Sequence, residues 1–192
     1  MNSAVRDISV ISEISADDFR NAMRRLTGGV SVITAGRGKD ISGMTVTSVA
    51  SLSVEPPALI VSVNRAASSY QLIRRHGFFG VNILNADQVD IAERFTGKDG
   101  SKGAARFAEA GWFTRASGVP LLSGALAAID CEVEEVVERH SHAIVIGRVL
   151  DLALSPRSAA LAYWHGQYVA IDRDEDIARL AEVSVPAARC RC

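Results

Sequence analysis

Cysteine is scarce in this chain: three residues in 192, one inside a strand-like run (Cys131) and two at the C-terminus (Cys190 and Cys192). So small and uneven a set gives no disulfide framework and fits a reducing compartment, so a cytoplasmic location is expected. An excess of charge is lacking too. With 21 Lys and Arg against 22 Asp and Glu, the formal net charge is -1. No long-range field recruits nucleic acid or anionic lipid, and no basic stripe is interleaved with aromatics. No run is apolar enough to span a bilayer, and residues 1–18 carry Arg6, Asp7, Glu13, Asp17 and Asp18 where a secretory signal would be apolar. Nucleic-acid and membrane partners are therefore not expected. Several catalytic signatures are missing as well. Gly36-Arg-Gly38 lacks the third glycine and the helix of a dinucleotide fingerprint, residues 97–103 make no Walker loop, and neither a G-x-S-x-G elbow nor an H-E-x-x-H helix occurs.

What remains is a globular composition, 48% apolar and 22% charged, at the length of one domain. The chain divides into an N-terminal extension (1–14), a main domain (15–172) and a C-terminal helix and tail (173–192). Ser15 is placed to cap a helix, with Asp18 three residues on. Phe19, Ala22, Met23 and Leu26 recur at helical spacing before Gly28-Gly29. β-type runs follow at 30–35 and 41–53. Pro56-Pro57 cannot sit inside a paired strand and marks a boundary. Residues 58–63 form a continuous apolar run of the kind buried on both faces. A helix over 68–76 closed by Gly77, a strand over 78–84, and a helix capped by Asn85 or Asp87 and carrying Val89, Ile91, Ala92 and Phe95 complete the first half. The second half is mainly β. Residues 129–134 alternate apolar and polar, 143–152 and 161–171 read as strands, and 172–183 as a charged helix. Strands outnumber helices and their later connections are short, which predicts an antiparallel barrel or sandwich decorated by helices.

Residues 43–70 are the most informative stretch. Small hydroxyl residues alternate with β-formers, break at Pro56-Pro57, and resume into a strand ending in a polar cluster. The segment offers many backbone donors and hydroxyls but no obvious acid, base or nucleophile, so it suits holding a reactive cofactor. Metal is not expected. His140 and His142 lie two apart at a strand start and Cys190-Arg-Cys192 is a C-x-C tail, but nothing brings four ligands into a tetrahedral set. Cys131 reads as a small core residue.

The order Gly29-Val-Ser-Val-Ile-Thr-Ala, Ser42-Gly-Met-Thr-Val-Thr-Ser, Ser51-Leu-Ser-Val-Glu-Pro-Pro, Val63-Asn-Arg and Phe79-Gly-Val-Asn-Ile-Leu resembles the short-chain flavin reductases. These are the reductase components of two-component flavin-dependent aromatic monooxygenases. Ile91-Ala-Glu-Arg-Phe95, Gly111-Trp112, Gly118-Val-Pro-Leu-Leu-Ser-Gly-Ala-Leu-Ala127, His142-Ala-Ile-Val-Ile-Gly-Arg-Val149 and Tyr163-Trp-His-Gly-Gln-Tyr168 extend the match to roughly residues 19–171. No single motif is specific; their order is. The resemblance implies a split β-barrel with a Greek-key core, a homodimer, FMN or FAD as the flavin, and NADH as donor with NADPH the alternative. It also implies a separate oxygenase that takes the reduced flavin.

Carried over by motif, Ser42, Gly43, Met44, Thr45, Thr47 and Ser48 would lie along the isoalloxazine. Ser62, Val63 and Asn64 would follow the ribityl chain. Ser68 and Ser69 would meet the phosphate at a helix start, and Arg94 and Phe95 would close the flavin side. No side chain is assigned the chemistry, since hydride passes between the cofactors. On the donor side His142 would position the nicotinamide, and Tyr163, Trp164, His165 and Gly166 would form a hairpin against it. Here the chain departs from the family: His140-Ser141 stands where Gly-Asp is usual, and Trp164-His165 where an arginine often precedes glycine. The absent arginine leaves no clamp for a 2′-phosphate, which favours NADH. Two rival readings are a flavin-binding split barrel of another activity, such as an oxidase or carrier, and a non-enzymatic metal-binding module.

Overall fold

A computed structural model describes residues 13–172. Most of the N-terminal extension, the expected C-terminal helix and tail, Cys190 and Cys192 lie outside the described residues. Ser15 caps α1 (Ala16–Met23): its Oγ accepts from the Asp18 N–H at 3.1 Å and donates to Asp18 Oδ2 at 2.7 Å. Yet α1 buries none of its residues, and Phe19 and Met23, with Leu26 beyond it, stay exposed.

The strands in chain order are β1 (Gly28–Gly29), β2 (Ser31–Arg37), β3 (Asp40–Val46), β4 (Ala50–Val54), β5 (Pro57–Asn64), β6 (Phe78–Ile83), β7 (Trp112–Phe113), β8 (Leu121–Leu122), β9 (Ala127–Arg139), β10 (His142–Leu154), β11 (Ala160–Trp164) and β12 (Gln167–Ile171). Helix α2 (Ser68–His76) joins β5 to β6, and α3 (Val89–Thr96) follows β6. Seven strands form one antiparallel sheet in the order β3-β2-β6-β9-β10-β5-β4. Its two edges, β3 and β4, are separated in the chain by residues 47–49 alone. Four Cα steps reach about 15 Å at most, whereas six interstrand spacings laid flat need about 29 Å. The sheet therefore curls until its edges lie side by side without pairing, which is the split barrel expected. β1, β11 and β12 make a small second sheet, and β7 pairs with β8.

The barrel interior is filled by Ile33, Val61, Val63, Phe79 and Val145, and is closed by Tyr70, Leu72 and Ile73 from α2. Gly147 is what lets Phe79 sit there: a Cβ on it would come within 2.4 Å of the Phe79 ring. The β9–β10 register shifts between Ile146 and Gly147 and again between Val149 and Asp151, which bends this long hairpin around the core. Cys131 lies in the same core, and burial, with Asp130 adding, pushes its thiol up to about 12. It is a packing residue and not a nucleophile. A second core of Val30, Val32, Leu84, Ile91, Phe95 and Phe107 fills the other side of β2 beneath α3.

The departures from expectation have physical causes. The run 41–53 is two strands, because the chain crosses the seam of the barrel at 47–49. β5 is not buried on both faces: Leu59, Val61 and Val63 face the core, while Ile60 and Ser62 are partly exposed. Pro57 is the first residue of β5, and the Glu55–Pro56 bond before it is cis. The strand read at 129–134 runs from Ala127 to Arg139, and 161–171 is a hairpin turning at His165-Gly166. Helix α3 is capped at Gln88, with no side-chain bond. Neither Asn85 nor Asp87 is the cap: Asn85 lies three residues before it, bridging to Ala160 and donating its N–H to Gln88 Oε1, and the Asp87 carboxylate pairs with Arg157.

Candidate functional site

A cavity of about 1180 Å³ opens where the edge strand β3, the turn after β5, helix α3, the loop after α3 and the β11–β12 hairpin converge. Because β3 is an edge, alternate N–H and C=O groups along it have no strand partner. Gly43 is one such position. Its C=O accepts from Arg106 Nη1 at 2.8 Å, and the N–H and C=O of one strand residue face the same side, so its N–H also turns away from β2. Gly43 is glycine for a packing reason: a Cβ would meet the Phe95 ring and the Ile33 carbonyl at 2.7 Å.

The second wall is the start of α2. Asn64 ends β5, and its Oδ1 accepts from the Ala66 N–H at 2.9 Å, turning the chain into the helix. The N-cap residue is Ala67, which offers no side-chain bond. The first turn carries no acid, and the last turn carries Arg74, Arg75 and His76. Free N–H groups and an uncompensated positive dipole end suit an anion there. Ser68 lines the cavity, with its Oγ 2.7 Å from Ser42 Oγ. Ser69, about 100° further round the helix, is buried, and its Oγ has no hydrogen-bond partner.

Of the other residues expected on the flavin side, Met44, Thr45, Thr47, Arg94 and Phe95 line the cavity. Ser42, Ser48, Ser62 and Val63 do not, nor does Ser69. Val63 points into the barrel core. Ser48 Oγ donates to the Ser62 carbonyl at 2.8 Å, tying the seam to β5. Thr45 Oγ1 donates to the Ala92 carbonyl at 2.6 Å, tying β3 to α3. Arg94 is committed to Glu109 at 2.9 Å and to the Ala108 carbonyl. Phe95 packs edge-on against Phe107 with ring centroids 5.1 Å apart, and so is a floor beneath the cavity.

The donor-side residues are split. Tyr163 and Gly166 line the cavity, while Trp164 and His165 do not. Those two lean on the segment after α1, where Trp164 Nε1 donates to the Arg25 carbonyl at 3.3 Å and the His165 N–H to the Arg24 carbonyl at 2.9 Å. His142 is exposed and outside the lining, but it pairs directly with Asn64, which is in it.

Residues 23–172 match the family model described as the flavin reductase like domain. This chain belongs to that family. It is 37% identical over 152 residues to the FMN reductase (NADH) RutF of Stutzerimonas stutzeri, covering 79% of this chain and 86% of the relative. It is similar in structure to the NADH:FAD oxidoreductase SgcE6 of Streptomyces globisporus C-1027, with a TM-score of 0.74 and 28% identity over 83% of this chain and 96% of that one. The flavin reductase of the styrene monooxygenase of Pseudomonas putida S12 has a TM-score of 0.70 and 29% identity, covering 80% of this chain and 97% of that one.

This flavin reductase-like chain also lines its cavity with residues that motif reasoning passed over. Lys98 and Lys102 come from the loop after α3, Arg106 from the short 3-10 helix (Gly103–Phe107) that follows it, and Asp90 and Glu93 from α3 itself. The sequence signal was faint: three basic residues dispersed through a glycine-rich loop. Arg106 holds that loop to the barrel, since its Nε donates to the Ser101 carbonyl at 2.9 Å while its Nη1 reaches Gly43. The Asp99 carboxyl is held below its usual value by the Ser101 hydroxyl and N–H. Glu93 lies beside Tyr168, whose hydroxyl is raised by burial, then by Glu93 and Tyr163.

Proposed function

We propose that this chain is an NADH-dependent flavin oxidoreductase that supplies reduced flavin to a separate oxygenase. The observation that carries it is one cavity joining the unpaired edge of β3 to the uncapped, acid-free start of α2. A strand edge can hydrogen-bond a heteroaromatic ring along its rim, and a helix start can hold a phosphate. The Ser68 hydroxyl, which lines the cavity at that helix start, adds a donor to the same anion-binding end. When bound, flavin supplies the ring that accepts hydride from NADH.

The chain's own residues then bind and orient. Gly43 and Thr45 offer strand-edge N–H groups, Asn64 and Ser68 take the ribityl and phosphate end, and Phe95 supports β3 from below. Tyr163 and Gly166 border the face open to the donor, with His142 at the rim next to Asn64. A homodimer belongs to the same proposal. Strands β4 and β10 leave Leu52, Val54, Ile144, Leu152 and Leu154 exposed, apolar side chains that a second copy would cover.

The deciding experiment is a steady-state matrix of NADH and NADPH against FMN, FAD and riboflavin, with light scattering for mass. NADH oxidation well above the rate with free flavin is expected, at dimer mass. No acceleration with any flavin, despite flavin binding, would overturn the reductase reading in favour of a carrier or oxidase.

A further inference from the structure

The β9–β10 hairpin turns at His140-Ser141, and His140 has φ of 50°, a conformation that favours glycine. Positive φ at the first central residue is the ordinary geometry of a two-residue hairpin turn, and this tip is also gripped from outside the hairpin by Arg65, on the turn between β5 and α2. The Arg65 N–H donates to the Ser141 carbonyl at 3.0 Å. Its Nη1 donates to the His140 carbonyl at 3.0 Å, and its Nη2 lies 2.7 Å from Glu138 Oε2. Glu138, near the end of β9, also accepts from the Tyr70 hydroxyl at 2.6 Å and lies 3.8 Å from Arg74. Two positions of α2 and the turn before it thus converge on the base and tip of one hairpin. The residue at the start of its second strand is His142.

We infer that Arg65 is a positioning residue for the electron donor, clamping the β9–β10 tip so that His142 stands beside the Asn64 end of the flavin cavity. Asn64 and His142 are directly opposed, and such pairs share a face with their Cβ atoms about 5 Å apart. Arg65 is next to Asn64 in the chain, so the turn that shapes the phosphate end of the cavity also grips the donor-side hairpin. An isolated exposed ion pair contributes little. Here the guanidinium forks between a carboxylate and a backbone carbonyl, a geometry that Lys cannot reproduce. The inference rests on the reductase reading, in which His142 serves the donor.

The test compares wild type with Arg65→Ala, Arg65→Lys and Glu138→Gln. It measures KM for NADH, kcat, the Kd for FMN by fluorescence quenching, and the rate of trypsin cleavage after Arg139, read by fragment mass. Arg65→Ala is expected to raise KM for NADH about tenfold, with kcat and FMN affinity within about twofold of wild type, and to speed cleavage at Arg139. Arg65→Lys, which keeps the charge but not the fork, is expected to fall between. Unchanged KM and unchanged cleavage in Arg65→Ala would overturn the clamp. So would an FMN affinity that falls in step with KM, which would make Arg65 part of the flavin turn alone. Should Arg65→Ala not fold, Arg65→Lys and Glu138→Gln decide by the same readings. A wild-type protein that never oxidises NADH would sink the reductase reading, and the cleavage rates would still decide the clamp.

Discussion

The two halves of the cavity are built differently. The walls proposed to hold flavin are braced from several directions: Thr45 to α3, Ser42 to Ser68, Ser48 to Ser62, and Gly43 to Arg106. The side proposed for the donor is bordered by two hairpin tips, and at each a histidine, His140 or His165, has φ of 50°. Walls braced from several elements hold a ligand in one pose, whereas each tip is exposed and fastened to one neighbouring segment, Arg65 for one and Arg24-Arg25 for the other. That contrast fits the proposed order of the site, with the flavin's pose set by the braced walls and NADH approaching past the hairpin tips.

The contrast can be broken at several points, and the largest effect is expected on the flavin side. Ser68→Asp places a carboxylate where the phosphate is proposed to sit, and FMN affinity should fall about a hundredfold, measured by fluorescence quenching. Unchanged affinity would move the phosphate away from α2. Gly43→Ala comes next. Its Cβ meets Phe95 and the Ile33 carbonyl, so β3 must shift, at about 1–3 kcal/mol in denaturant unfolding with weakened FMN binding. Stability and affinity both at wild-type values would show that the flavin wall is softer than its bracing implies. On the donor side, His142→Ala should raise KM for NADH about fivefold with the FMN Kd unchanged. A fall in FMN affinity instead would merge the two halves. The smallest effect is His140→Gly, which relieves the left-handed backbone and should raise Tm by about 2–4 °C. A lower Tm would mean the imidazole contributes more than the conformation costs.

Much of this was legible in the sequence for a simple reason. Strand and helix patterns are local, and Gly43, Ser68 and Phe95 fall within regular elements whose periodicity shows which residues are grouped. Legibility failed where three-dimensional placement decided the outcome. Ser68 and Ser69 are adjacent and chemically identical, and only the phase of α2 on the barrel puts one at the cavity and buries the other. Residues 47–49 continue a β-type run, so nothing in them marks the crossing from one sheet edge to the other. Lys98 and Lys102 sit in a loop without periodicity and Arg106 in the short 3-10 helix after it, and they reach the cavity because Arg106 fastens that segment to Ser101 and Gly43.

Residues 43–70 read alone already specify a hydroxyl-rich, donor-rich ligand segment without its own acid–base chemistry. Hydrogen-bonding capacity belongs to residue type, and residue type is what a sequence contains. Which of those donors are available is a property of the closed barrel. Folding joins Ser42 to Ser68, Ser48 to Ser62 and Thr45 to Ala92, and leaves the Gly43 edge and the start of α2 open to the cavity. The Arg65 grip on the β9–β10 tip likewise joins positions 75 residues apart, as Arg65 and His140 are. No local pattern encodes such a contact, because it exists only once the sheet has curled.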